Sequence, residues 1–166
     1  MDIFEFAMEK EKRAEQYYRE LAEKADHAGL KKILIMLAED EVRHQQVVEH
    51  MKSDAPDTIT ETPVLAGAKE VFEKMRRGAE TFSFDISEVD LYRKACDMEA
   101  EAKKFYLAKA EEVKNPGQKQ ILRRLAAEED KHLTIVQGLC DFVSKPETYL
   151  ENAEFSHFDD YVEGEF

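Results

Sequence analysis

Six positions set the pattern of the chain: Leu34, Leu37, Glu41, His44, Val48 and Met51. They stand 3, 4, 3, 4 and 3 residues apart, the spacing of one stripe along an α-helix. The same spacing returns at Leu122, Leu125, Glu129, His132, Val136 and Leu139. A stripe of this kind faces a core. Here each stripe carries a carboxylate and an imidazole at its centre. Burying charge without a partner is costly, so a partner is implied. A Glu and a His one turn apart can address the same metal ion.

The apolar periodicity predicts four long helices. The first spans about 3–25, with an inner stripe of Ala7, Glu11, Ala14, Tyr18, Leu21 and Ala25. Gly29 marks the turn to the second, about 30–51. A long connection, about 52–86, holds turn residues between Ser53 and Pro63 and a short helix from Val64 to Arg77 that Gly78 ends. The third helix starts near Ser87, read as an N-cap, and runs to Val113 with Ala95, Glu99, Ala102, Tyr106, Ala110 and Val113 inward. Asn115-Pro116 caps the fourth, which ends near Val143 before Pro146. A short link makes the first two helices antiparallel neighbours. The long connection lets the third helix start at the same end as the second. The expected fold is therefore all-α: a ferritin-like four-helix bundle with a long helix 2–helix 3 crossover. Residues 1–145 form the bundle, and residues 146–166 form an acidic, aromatic tail with Tyr149, Phe155, Phe158, Tyr161 and Phe166.

A constant offset of 88 residues relates Glu11 to Glu99, Glu41 to Glu129 and His44 to His132. It also relates Ala7 to Ala95, Ala14 to Ala102 and Tyr18 to Tyr106. The chain reads as a duplicated helical hairpin, and two such hairpins pack most simply about a pseudo-twofold axis. Each half then brings one Glu and one Glu-x-x-His to a shared centre. Glu-x-x-His alone is a weak signal. Glu154-Phe-Ser-His157 is a third copy with no helical stripe around it and reads as chance. His27, His50 and His157 are expected at the surface, and Phe4, Phe6, Phe72, Phe82 and Phe84 in packing.

Composition narrows the function. The chain has 166 residues and a net charge of −13, which argues against a nucleic-acid surface. No apolar run approaches the roughly 20 residues that cross a bilayer, so no membrane is expected. Met1 to Phe6 lacks the basic start and apolar run of a signal peptide, and a cytoplasmic address follows. Cys96 and Cys140 are isolated and read as small core residues. Four carboxylates and two imidazoles suit two divalent transition metals, iron first, with manganese or zinc compatible with the same donors. The metal ligands expected are Glu11, Glu41, His44, Glu99, Glu129 and His132. Four Glu charges against two dications make a neutral cluster, which answers the burial problem.

At these residues the chain resembles a family. Ala-x-x-x-Glu-x-x-Ala-x-x-aromatic-Tyr, at Ala7 to Tyr18 and Ala95 to Tyr106, with the two Glu-x-x-His motifs, looks like the rubrerythrin branch of the ferritin-like superfamily. The resemblance implies that Glu41 and Glu129 bridge the metals, that Glu11 and His44 complete one site, and that Glu99 and His132 complete the other. Tyr18 and Tyr106 would stand next to the ligands as candidate catalytic residues. Full rubrerythrins carry a rubredoxin domain with paired Cys-x-x-Cys, which this sequence lacks, so the expected electron donor is a separate, rubredoxin-like protein. A further helix-3 carboxylate of that family corresponds here to Ala102, which makes the six-ligand set similar to bacterioferritin-like centres. The implied activity is that of a non-haem di-iron oxidoreductase that reduces peroxide or oxidises Fe(II) with dioxygen or peroxide. The alternatives are an iron-binding, handling or storage protein without turnover, and a structural bundle with a vestigial site. A homodimer is an allowed assembly.

Overall fold

The computed structural model describes residues 2–53, 62–78, 81–151 and 158. α1 (Ile3–Lys24) opens on a capping box: the Asp2 side chain accepts from the Glu5 backbone N–H, and the Glu5 side chain accepts from the Asp2 N–H. α2 (Ala28–Lys52) follows directly. Gly29, expected at the turn, lies inside its first turn. His27 is the cap, its Nδ1 accepting from the Gly29 N–H at 3.1 Å. A side chain at Gly29 would meet Met75 Sδ at 2.8 Å, so this glycine serves close packing. His27 is correspondingly half-buried, 4.6 Å from the Phe82 ring, not a surface residue.

The crossover helix α3 is Val64–Arg77, with Gly78 at its end. α4 (Ile86–Glu112) is capped by Asp85 rather than by Ser87. Asp85 and Glu88 form a second capping box, and Ser87 Oγ donates to Asp85 at 2.5 Å. α5 (Pro116–Ser144) starts as expected, the Asn115 side chain accepting from the N–H groups of Gly117 and Gln118. Pro146 opens a further short helix, α6 (Pro146–Glu151).

α1 packs on α2 and α4 on α5. The two hairpins meet through α1–α4 and α2–α5, and α3 lies against α2, α5 and α6. This is the expected all-α, ferritin-like arrangement. No helix among the described residues is long and apolar enough to cross a membrane.

Two apolar clusters form the core. The larger gathers Leu30, Ile33, Leu34 and Leu37 with Phe72, Ile135, Leu139 and Phe142. The smaller gathers Ala7, Val47, Val48 and Met51 with Tyr106, Leu122 and Leu125. The chain's buried charged residues belong to neither cluster. Beyond α5, Tyr149, Leu150 and Phe158 are buried, with the Tyr149 and Phe158 rings 5.1 and 6.1 Å from Phe72. Tyr149 and Phe158 cover Gly138, where a Cβ would lie 2.6 Å from Tyr149 Oη. Phe155, Tyr161, Phe166 and the Glu154–His157 motif lie outside the described residues. Among the expected packing aromatics, Phe6 is the exception: it is 44% exposed, beside Phe105.

Candidate metal centre

All six expected ligands are buried: Glu11, Glu41, His44, Glu99, Glu129 and His132 are each at most 2% exposed. The helical stripe explains the placement. Glu11 and Glu99 have apolar neighbours one turn before and after, each Glu-x-x-His pair has apolar residues one turn before its Glu and one turn after its His, and those neighbours carry the six to the bundle axis. The distances repeat with the sequence. His44 Nδ1 lies 3.5 Å from Glu11, and His132 Nδ1 lies 3.5 Å from Glu99. His44 Nδ1 is 2.9 Å from Glu129 and 3.5 Å from Glu41. His132 Nδ1 is 3.0 Å from Glu41 and 3.5 Å from Glu129. So Glu41 and Glu129 reach both imidazoles, while Glu11 and Glu99 each reach one. The imidazole rings are nearly parallel, with centroids 5.1 Å apart.

The electrostatics of this cluster, taken without a metal, are those of carboxylates in search of cations. Burial, and then the charges of Glu11 and Glu99, push Glu41 well above the usual carboxylate range. Burial and the same two charges, with that of Glu41, do so for Glu129. Burial alone would raise Glu11 too, but its hydrogen bond to Glu41 and the charge of His44 outweigh it and bring the group to about 2. Burial disfavours the charged imidazoles, yet the surrounding glutamates overcome it and raise both His44 and His132 well above their ordinary value. One buried oxygen, Glu41 Oε2, has no hydrogen-bond partner. Four Glu oxygen donors with two Nδ1 atoms, an orphaned carboxylate oxygen and ligand atoms of Glu41, His44, Glu129 and His132 all within 4.8 Å of one another fit a transition-metal site.

Tyr18 and Tyr106 are fully buried and hold this cluster from outside. Each donates across the bundle to the other hairpin's glutamate, Tyr18 to Glu99 and Tyr106 to Glu11. Both phenols are pushed well above 10 by burial and then by the charge of the glutamate each contacts. They remain neutral donors.

Four further residues join the centre that the stripes did not single out. Asp40 Oδ2 accepts from His132 Nε2 at 2.6 Å and lies 3.8 Å from His44 Nε2. Arg43 bridges the two hairpins, with Nε donating to Asp40 at 2.9 Å and Nη2 to Glu128 at 2.7 Å. Lys131 Nζ stands 3.9 Å from Glu128. Asp40 is held well below the ordinary carboxylate range: burial opposes this, but the hydrogen bond and charge of His132 and the charge of His44 prevail. With Nε2–H donated to a carboxylate, Nδ1 of His132 is the nitrogen left facing the glutamates, and its lone pair becomes available when its proton leaves. The signal for these residues was present in the repeat. Asp40-Glu41-Val42-Arg43-His44 and Glu128-Glu129-Asp130-Lys131-His132 both place an acid before the Glu and a base before the His.

A cavity of about 220 Å³ opens between α1 and α4 onto Glu11, Glu41, Glu99 and Glu129. The small residues Ala14 and Ala102 line it.

The rubrerythrin family model matches residues 2–140 and, in a second match, residues 90–158. The second match begins 88 residues after the first, the offset of the internal repeat. In fold the chain is similar to a hypothetical protein from Pyrococcus furiosus, with a TM-score of 0.65 and 24% identity over 86% of this chain and 88% of that one. No curated protein matches the sequence. The family match covers most of the chain, including both Glu-x-x-His helices and the glutamates that precede them, and on that ground the chain belongs to the rubrerythrin family.

Proposed function

We propose that this protein is a non-haem di-iron oxidoreductase that reduces peroxide, or oxidises Fe(II) with dioxygen or peroxide, using electrons from a separate donor such as a rubredoxin-like protein. The observation that carries the reading is the symmetric set of four glutamates and two Nδ1 atoms buried between the hairpins. Glu11 with His44 would hold one ion and Glu99 with His132 the other, with Glu41 and Glu129 shared. A bound iron pair supplies two electrons to an O–O bond, one from each ion.

The chain's own residues do the rest. Tyr18 and Tyr106 fix the outer glutamates by hydrogen bonds. Asp40 fixes His132. The apolar clusters on either side keep bulk water from the ligands, which strengthens every charge interaction at the centre. The cavity at Ala14 and Ala102 gives a small oxidant its way in. Neither cysteine is suited to carry the electrons: burial pushes Cys96 up to about 12 and raises Cys140.

Stopped-flow mixing of the iron-loaded, reduced protein with hydrogen peroxide tests the reading. Oxidation of the bound iron much faster than that of free Fe(II) is expected. A rate no faster than free Fe(II) would sink it.

A further inference from the structure

The cavity between α1 and α4 is larger than peroxide or dioxygen requires. A water-sized molecule needs about 10–15 Å³ of such volume. Two ions on the glutamate floor would take roughly 30 Å³ by the same measure, which leaves most of the 220 Å³ free. Above the floor, Ala14 and Ala102 leave a gap where two larger side chains would close it. They are repeat equivalents, so the gap lies where the two hairpins face each other across the pseudo-twofold axis. Met98 and Tyr17 add apolar surface to the lining, which Lys10 and the exposed Arg13 and Glu101 complete. Tyr17 has its hydroxyl committed, donating to the Leu91 carbonyl at 2.6 Å. Glu41, whose buried Oε2 has no hydrogen-bond partner, belongs to the floor. A space with a carboxylate floor that calls for metal and an apolar stretch of lining at Ala14, Ala102, Met98 and Tyr17 suits a molecule with a reactive polar end and a hydrocarbon body.

We propose that this cavity is a binding subsite for organic hydroperoxides, with the O–O group at the glutamate floor and the hydrocarbon group in the throat between Ala14 and Ala102. The proposal rests on the peroxide-reducing reading of the same centre. The reaction balances as ROOH with two protons and two electrons giving ROH and water. The O–O bond breaks, each oxygen gains an O–H bond, and the electrons come from a reduced metal pair that the separate donor restores.

Two measurements test it. In the first, the protein loaded with redox-inert zinc is titrated with 2-phenylpropan-2-ol, the alcohol left by cumene hydroperoxide, while the methyl resonances of Ala14, Ala102 and Met98 are followed. Saturable shifts at these methyls are expected, and Ala102→Leu should weaken binding by about tenfold or more, the scale of apolar pocket discrimination. Ala102 is only half-buried, so the bulkier residue is compatible with folding, and Ala102→Met is a second variant with a more adaptable side chain. In the second, the reduced, iron-loaded protein is mixed with cumene hydroperoxide or hydrogen peroxide. In the variants the ratio of the organic rate to the hydrogen peroxide rate should fall about tenfold or more. Absence of alcohol binding to the wild type, or equal loss of both rates in the variants, would overturn the proposal. Alcohol binding at these methyls in a protein that reacts with neither oxidant would uphold the organic subsite and refute the peroxidase reading alone.

Discussion

Asp40 shows how a single carboxylate can decide what an imidazole does. Its hydrogen bond to His132 Nε2 fixes the ring's orientation and leaves Nδ1 facing the glutamates. Asp40→Asn keeps the shape but removes the charge that holds the Nε2 proton. Metal affinity is expected to fall about 10–100-fold, read by competition with a chromophoric chelator. Glu39→Gln, at the exposed neighbouring position, should leave affinity unchanged, and wild-type affinity in Asp40→Asn would remove the role argued for it. The tyrosines act on the other ligand type. Tyr106→Phe strips Glu11 of a buried donor, and a loss of about 1–3 kcal/mol is expected, read from urea unfolding of the metal-free protein. The six candidate ligands were legible in the sequence because each interrupts an apolar stripe of its own helix. Asp40 was not, because it lies about 100° around the helix from Glu41 and its burial comes from the facing hairpin. Local periodicity carries no record of that contact. Only the acid that stands at the matching place in the second copy, Glu128, hints at it.

At the scale of elements, the long helices were legible and their ends less so. Ser87 and Asp85 both offer a cap oxygen at the start of α4, and the competition is settled by Glu88, which lies three residues after Asp85 and completes a capping box. Gly29 looked like a turn residue, and its reason is the approach of Met75 from the crossover helix, a tertiary fact. The repeat itself makes one more element readable. Gly138 corresponds to His50 in the first hairpin, which is exposed. The halves diverge because the second alone is covered, by Tyr149 and Phe158. Gly138→Ala should gain about 1 kcal/mol of helix propensity and lose about 1–3 kcal/mol to overpacking. The expected net is a lower melting temperature, with the Phe158 ring resonances moving toward solvent-exposed values. A stabilised variant would mean that Tyr149 swings aside freely and that the segment after α5 is not docked through this contact. His50→Ala at the equivalent place should be near neutral.

For the molecule as a whole, the charged layer between two apolar clusters makes stability, metal and pH one problem. In the metal-free protein, glutamate charges raise His44 and His132 well above 6.5, while burial and repulsion raise Glu41 and Glu129 well above 4.5. All four groups hold protons more tightly folded than unfolded. A raised folded value contributes stability below the unfolded value and loses it as pH climbs through the folded value. The metal-free protein should therefore lose stability as pH rises above about 4.5, through the two glutamates, and more steeply above about 6.5, where the imidazoles add to them. Two dications reverse the sign. Bound ligands must be deprotonated, so the unfolded chain then binds more protons, and the loaded protein should gain stability as pH rises from about 4.5 to 6.5. Loading must also expel the protons that the metal-free cluster held, up to one each from His44, His132, Glu41 and Glu129. Calorimetric titration with zinc in buffers of different ionisation enthalpy counts them directly, and between two and four protons per pair of ions are expected near pH 6, about 2 if only the imidazoles give them up. Melting curves of both forms across the same pH range supply the second readout. Parallel curves with no proton release would mean that the six side chains do not exchange protons for metal, and the charged layer would then need another explanation for its burial.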